Sequence, residues 1–147
     1  MPKSIRFREQ LQRNSVALIS LVVAITSLGY NTWRNEASEY NRNQRLISLE
    51  VLRNLSELQE VVYHRHWEMD EQDKGSPLTG WTLVLSVRDL SQVLDGDVPE
   101  SGMALWRAWD DDSGKLGNDA GQPGYDRIIS ALGTVREDTH ALLQSLD

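Results

Sequence analysis

The chain has 147 residues, a net charge of −7 and 39% hydrophobic residues, which suits one domain with one short apolar segment rather than a multi-span membrane protein. It contains no cysteine, which excludes a disulfide framework, a cysteine-ligated metal site and a cysteine nucleophile. The excess of acidic residues lies after residue 33, and an acidic surface disfavours nucleic acid as a partner.

The N-terminal part of the chain predicts a membrane anchor. Residues 1–13 form a short basic segment, and no charged residue occurs between Arg13 and Arg34. As a helix, the predominantly apolar residues 14–33 would span about 30 Å, the thickness of the hydrocarbon core of a bilayer. Side chains suited to the membrane–water interface bracket this predicted transmembrane helix. These interfacial anchors are Arg13, Tyr30, Trp33 and Arg34.

A cleaved signal peptide is the alternative interpretation of the same segment, with Ser27-Leu28-Gly29 as a small-x-small cleavage site. We favour a retained anchor because no proline separates the apolar run from the helical pattern that follows it. Four basic residues precede the span, and a short basic leader favours a cytoplasmic N-terminus. In a bacterial inner membrane, the C-terminal domain would then be periplasmic.

Small residues recur on one face of the predicted anchor at spacings of 3, 4 and 3. Lipid gives little hydrophobic drive for helix association, so small side chains that let two backbones approach are a common packing device. The pattern predicts packing on another membrane protein subunit or on a second copy of the chain. The residues of this predicted membrane-helix packing face are Ala17, Ser20, Ala24 and Ser27.

The polar residues 34–45 contain neither glycine nor proline and predict a helical stalk that leads into an acidic domain at residues 46–147. An amphipathic stripe begins there, because apolar residues recur at the helical period. Its members are Ile47, Val51, Leu55, Leu58 and Val62. A second pattern of alternating spacings of 4 and 3 is typical of a coiled-coil seam. That seam would consist of Trp33, Ala37, Tyr40, Gln44, Ile47 and Val51.

The rest of the chain predicts three more helices. Ser76-Pro77 and Asp97-Val98-Pro99 are helix starts, and residues 110–124 indicate a long flexible loop before the last helix. No stretch alternates between apolar and polar residues as a strand would. We therefore predict an all-α fold, in which a transmembrane helix continues through a stalk into a small bundle of about four helices. The predicted inward residues are Leu83, Val87, Leu90 and Leu94, then Met103, Trp106 and Trp109, and finally Ile128, Leu132, Val135, Thr139, Leu142 and Leu146.

A resemblance supports this setting. The run Ser27-Leu-Gly-Tyr-Asn-Thr-Trp-Arg-Asn-Glu36, followed by Asn41-Arg-Asn-Gln-Arg45 and Leu58-Gln59, resembles small single-pass membrane proteins of proteobacteria that carry no assigned activity. The similarity extends from the N-terminus to the neighbourhood of Gln59. It implies a bacterial inner-membrane location and supplies no catalytic residue, cofactor or ligand.

Histidine and carboxylate side chains share a face of the first domain helix. Glu60, His64 and Glu68 lie at i, i+4 and i+8, and His66 and Asp70 form a second such pair. Carboxylates beside an imidazole are the components of a pH switch or of a divalent metal site. Since one straight helix presents at most two of the ligands that a metal needs, we expect a solvated charged face, with a pH or metal site as the alternative.

An acidic segment raises the possibility of a calcium site, because Ca²⁺ takes several oxygen ligands from flexible loops. The EF-hand pattern fails, since a loop that starts at Asp110 has Gly114 and Lys115 at its fifth and sixth positions. We expect a solvated loop, with a non-standard cation site as the alternative. The residues concerned are Asp110, Asp111, Asp112, Asn118 and Asp119.

The sequence contains no nucleophile elbow, phosphate loop or dinucleotide fingerprint, so we predict no enzymatic activity and no cofactor. The predicted function is a membrane-tethered, non-catalytic helical interaction module that serves as an accessory or assembly subunit of a larger envelope complex. Its expected partners are the lipid bilayer and other membrane protein subunits, or a second copy through the anchor and stalk. The alternative is a periplasmic sensory domain that binds a small ligand, a proton or a metal ion.

Overall fold

The computed structural model describes the backbone of residues 3–70, 72–117 and 121–146, and the side chains of these ranges from residue 14 onward. Within these ranges the chain is helical and has no strand, which confirms the all-helical class. The helices are α1 (Lys3–Trp67), α2 (Pro77–Ser91), α3 (Val98–Asp112) and α4 (Gln122–Ser145), with a 3₁₀ turn at Ser113–Lys115. The chain divides into two compact units, unit 1 (Met1–Tyr40) and unit 2 (Asn41–Asp147).

Unit 1 presents apolar side chains outward. Every residue from 16 to 40 is exposed, and the most apolar window of the segment has none of its residues buried. Two hydroxyls in it are satisfied within the helix, because Thr26 donates to the carbonyl of Val22 at 2.8 Å and Thr32 to that of Leu28 at 3.0 Å. Internal satisfaction of polar groups is what hydrocarbon requires. The helix is long and apolar enough to cross a membrane.

Unit 2 closes around an apolar core to which all four helices contribute. The stripe predicted on α1 faces this core, with Val51, Leu55, Leu58 and Val62 fully buried. Three hydrogen bonds run from α1 to the α4 segment in opposite chain order, which makes these two helices antiparallel. The pairs are Arg45 with Leu146, Gln59 with Arg136 and His66 with Gln122.

The inward faces of α2, α3 and α4 agree with the predicted faces in most positions. On α4 the predicted residues from Ile128 to Leu142 are buried, and Leu146 packs partly buried against the core. On α3 the face is rotated from the prediction, because Leu105 is fully buried while Met103 and Trp106 are only half-buried. Leu90 on α2 is likewise half-buried.

Two glycines explain the rotation of α3, because they let α2 and α3 approach closely. A Cβ at Gly80 would lie 2.3 Å from the ring of Trp109, and one at Gly102 would lie 2.5 Å from the hydroxyl of Ser91. Only glycine leaves the space for these contacts. The face of α3 that carries Gly102 and Trp109 therefore has to point at α2.

The predicted coiled-coil seam does not continue past Tyr40, and its second half is wrong as an intermolecular surface. Gln44 is buried, donates to the carbonyl of Val93 at 3.0 Å and accepts from the backbone N–H of Asp95 at 3.2 Å. Val51 lies in the core. The seam positions from Gln44 onward therefore pack within unit 2 and are not available to a second chain.

The long flexible loop predicted at residues 110–124 is also wrong for the residues that the structure describes. Helix α3 extends through Asp112, the 3₁₀ turn follows, and α4 begins at Gln122 with Pro123 in its first turn. Gly117 lies between them with φ +87°, in the left-handed region that favours glycine. Asn118 and Asp119 lie outside the described residues.

Substitution of Gly80 by alanine tests the close approach of α2 and α3. The added methyl group would overlap the Trp109 ring, so we expect the free energy of unfolding to fall by about 1–3 kcal/mol, as in other overpacked cores. Urea unfolding of the full chain in mild detergent, followed by tryptophan fluorescence, measures the change.

The matched control is Gly133→Ala in α4, where a Cβ meets nothing within 4 Å. Alanine is the better helix former, so this variant should be more stable by up to about 1 kcal/mol. Shifts of the same sign in both variants would contradict the close approach.

Candidate functional site

Asp112 is a fully buried carboxylate that organises the connection between α3 and α4. Arg127 of α4 donates to it through two nitrogens, with Nε 2.7 Å from Oδ2 and Nη2 on Oδ1, and Lys115 donates to Oδ1 at 2.8 Å. Gly124 lets α4 lie against this group, because a Cβ there would be 3.0 Å from the Cβ of Asp112. The bidentate pair fixes where α4 begins.

The donors also set the protonation of this carboxyl. Hydrogen bonds from Arg127, followed by those from Lys115, lower the pKa of Asp112 to about 2 despite the opposing effect of burial. In return, the carboxylate raises the pKa of Arg127. Both oxygens of Asp112 are therefore paired with cations of the chain itself, whereas the sequence predicts a solvated loop here, with a non-standard cation site as the alternative. Among the described residues, no group of three or more acidic or histidine side chains is arranged to hold a metal ion.

Asp112→Asn tests this ion pair. The amide cannot pair with two cations, so we expect the free energy of unfolding at pH 7 to fall by about 1–3 kcal/mol, with the loss limited by the solvent exposure of Arg127 and Lys115. Because the pKa is depressed in the folded state, the stabilisation is complete above about pH 4 and is lost as the pH falls toward 2. Urea unfolding at pH 7, 4 and 2.5 measures the difference.

The control for this variant is Asp110→Asn, since Asp110 is exposed on the same helix. It should leave the free energy of unfolding within about 0.5 kcal/mol of the parent at every pH. A difference between Asp112→Asn and the parent that stays constant from pH 7 to pH 2.5 would refute the role of the ionised carboxylate.

Glu60 and His64 lie on α1 and Glu68 is the first residue after it, and both carboxylates approach the ring of His64. Nδ1 of His64 lies 2.7 Å from the carboxylate of Glu68, and its Nε2 lies 3.6 Å from that of Glu60. Lys74 approaches Glu60 at 3.5 Å. The two carboxylates face opposite nitrogens of the ring, so the three side chains do not converge on one point where a metal ion could bind.

The second predicted pair, His66 with Asp70, does not form. Asp70 instead accepts four backbone N–H groups of the α1–α2 connection, from residues 72 to 75, at 2.9–3.4 Å. These bonds, led by the one from Asp73, lower the pKa of Asp70. Asp70 therefore shapes the connection, in which Met69 has φ 54°, while His66 bonds to Gln122 of α4.

His66 is buried and belongs to a cluster of rings at the end of unit 2 where α1 ends. Its ring stacks on Tyr125 of α4, with centroids 4.4 Å apart, and meets Trp67 edge-on at 4.7 Å. Tyr125 also contacts Trp67 at 5.7 Å and Tyr63 at 6.3 Å, and burial raises the pKa of Tyr125. We call Tyr63, His66, Trp67 and Tyr125 the aromatic end of unit 2.

The aromatic end is only partly covered. Trp67 is 62% exposed and the neighbouring Met69 is 71% exposed, while His66 is buried. Tyrosine, tryptophan and methionine are side chains enriched at protein interfaces. The signal for His66 in the sequence is its position, four residues after the core residue Val62 on the buried stripe of α1.

A groove of about 290 Å³ lies at the other end of α4, between the α2–α3 connection and the last turns of the helix. It contains none of the site residues predicted from the sequence. Its lining residues are Asp95, Gly96, Asp97, Asp138, Ala141, Leu142, Ser145 and Leu146.

The residues predicted for the anchor lie in the exposed helix of unit 1. Ala17, Ser20, Ala24 and Ser27 are all exposed, and the helical geometry keeps them on one face. The rings of Tyr30 and Trp33 are 6.2 Å apart, and Arg34 follows them. The side chain of Arg13 lies outside the described residues.

Comparison of the chain with family models, with curated proteins and with solved structures gives no match.

Proposed function

We propose that this chain is a membrane-tethered, non-catalytic helical interaction module that serves as an accessory or assembly subunit of a larger envelope complex. In this proposal residues 14–33 cross a bacterial inner membrane with the N-terminus in the cytoplasm. The four helices of unit 2 form a small acidic bundle in the periplasm. The basic leader and the resemblance of the segment up to Gln59 to small proteobacterial single-pass proteins support this location.

The observation that carries the proposal is the contrast between the two units. Unit 1 exposes an apolar helical surface whose contact with water is unfavourable, whereas the apolar residues of unit 2 form a buried core. A tether joined to a self-sufficient folded unit is suited to holding that unit at a membrane. The small-residue face at Ala17, Ser20, Ala24 and Ser27 offers a place for a second membrane helix to pack.

The aromatic end supports a partner for unit 2. Its exposed ring, Trp67, contacts the stacked rings of buried His66 and half-buried Tyr125, so little side-chain freedom is lost when a partner covers it. Rigid aromatic side chains of this kind dominate the binding free energy of many interfaces. We assign the aromatic end as the contact surface of the module.

Anchoring and orientation can be tested with single cysteines, because the chain has none of its own. In spheroplasts, a membrane-impermeant maleimide should label Ser56→Cys in unit 2, and should label Ser4→Cys only after the membrane is permeabilised. Both proteins should remain in the membrane pellet after carbonate extraction. The opposite labelling pattern would reverse the orientation, and release of a shortened form that begins after Gly29 would show a signal peptide.

The contact surface can be tested by site-specific photocrosslinking in native membranes. A photoreactive phenylalanine analogue in place of Trp67 should give a discrete adduct with one partner protein. The same analogue in place of Val93, which is 57% exposed in the α2–α3 connection, is the matched control and should not give that adduct. Identical adducts at both positions, or none at Trp67, would contradict the assignment.

A further inference from the structure

The hydrogen bonds of His66 select one tautomer of its neutral ring. Its Nδ1 accepts the backbone N–H of Gly117 at 3.4 Å, and its Nε2 lies 3.2 Å from Oε1 of Gln122. The side-chain nitrogen of Gln122 donates to Asp126 at 2.9 Å, which fixes Oε1 as the atom that faces the histidine. The imidazole must therefore carry its proton on Nε2 and keep Nδ1 free as an acceptor.

The hydrogen bond from Gly117 to His66 joins two separate parts of the chain. Gly117 lies in the α3–α4 connection with φ +87°, and a Cβ on it would be 3.0 Å from the backbone carbonyl of Arg65. Leu116 beside it is a buried core residue. The bond from Gly117 to His66 thus fastens the connection between α3 and α4 to the end of α1.

We propose that His66 is a proton-operated clasp, which holds Gly117 on the end of α1 when the imidazole is neutral and releases Gly117 when the imidazole is protonated. A proton on Nδ1 would point at the N–H of Gly117, so a buried hydrogen bond is replaced by two donors that face each other. Histidine changes charge between pH 5 and 8, which makes such a clasp responsive to acidification of its surroundings. This inference does not depend on the proposed function.

The ionisable groups of α4 and of the α3–α4 connection leave this argument intact. On α4, Tyr125 stacks on the imidazole, and Asp126 reaches it only through the amide of Gln122. On the connection, Lys115 is paired with Asp112. None of these groups therefore supplies an acceptor for a proton on Nδ1.

Among the described residues of α1 and of the α1–α2 connection, no ionisable group supplies an acceptor for that proton either. Arg65 precedes His66 in the sequence, and as a cation it cannot accept a proton from the ring. The carboxylate of Glu68 is hydrogen-bonded to His64. Asp70 accepts four backbone N–H groups of its own connection. Glu71 and Asp119 lie outside the described residues.

His64 provides an internal contrast two residues away on α1. Both of its nitrogens face carboxylates, those of Glu60 and Glu68, so His64 has an acceptor at each ring nitrogen. The Nδ1 of His66 instead faces a donor, the backbone N–H of Gly117.

The test is NMR of the full chain in detergent micelles, with ¹⁵N-labelled histidine for the rings and ¹⁵N-labelled backbone for the amides. At pH 7.5 the ring of His66 should show the Nε2–H tautomer, and the amide of Gly117 should be protected from exchange. As the ring becomes protonated, protection of that amide, corrected for the intrinsic exchange rate, should fall about tenfold or more. An Nδ1–H tautomer at pH 7.5, or protonation of His66 without loss of protection at Gly117, would overturn the proposal.

Two substitutions separate the clasp from a merely structural role. His66→Asn keeps an acceptor for the N–H of Gly117 but does not titrate, so protection of Gly117 should become independent of pH between 5 and 7.5. His66→Phe keeps the stack on Tyr125 but has no acceptor, so the amide should be unprotected at both pH values. The control His64→Asn should retain the response of the parent, and loss of the response in that control would transfer the clasp to His64 and refute it at His66.

Discussion

The ion pair of the buried Asp112 carboxylate with Arg127 and Lys115 is the interaction on which the arrangement of α3, α4 and their connection depends. A charge without solvent needs partners of opposite charge, and Arg127 and Lys115 supply them from the two sides of the α3–α4 connection. Because Arg127 sits in the second turn of α4, the pair fixes the start of that helix. Gln122 and Tyr125 lie in the turn before Arg127, so the hydrogen bond and the stacked ring that hold His66 follow from the position that Asp112 sets.

Periodicity was sufficient to predict the helices and most of the core, because burial repeats at the helical spacing whatever the helix packs against. It could not predict which acidic residue of a run is buried. Asp110, Asp111 and Asp112 are equivalent in composition, and only the third pairs with Arg127, which is 15 residues further along the chain. An acidic, glycine-rich segment therefore indicated a solvated loop, while in the structure its described part continues α3 and turns into α4.

The two histidines of α1 illustrate the same limit. His64 and His66 both looked like members of a charged face, since each has a carboxylate four residues away. The stripe of the core decides between them, because His66 follows Val62 by one helical turn and is therefore carried inward, while His64 stays with Glu60 and Glu68. Similarly, the rotation of α3 depends on Gly80 and Gly102, whose role is a lack of side chain that no hydrophobic pattern can reveal.

The antiparallel pairing of α1 with α4 affects the order in which unit 2 can fold during synthesis. The bond from Arg45 to Leu146 joins residues 101 positions apart, and the core face of α1 is completed by the buried residues of α4. Contacts of such long sequence separation form late, because closure of the intervening chain costs entropy before they form. The apolar stripe of α1 therefore emerges from the ribosome long before the α4 residues that bury it. Until α4 has been made, that stripe is a site where chaperones can bind and where aggregation can begin.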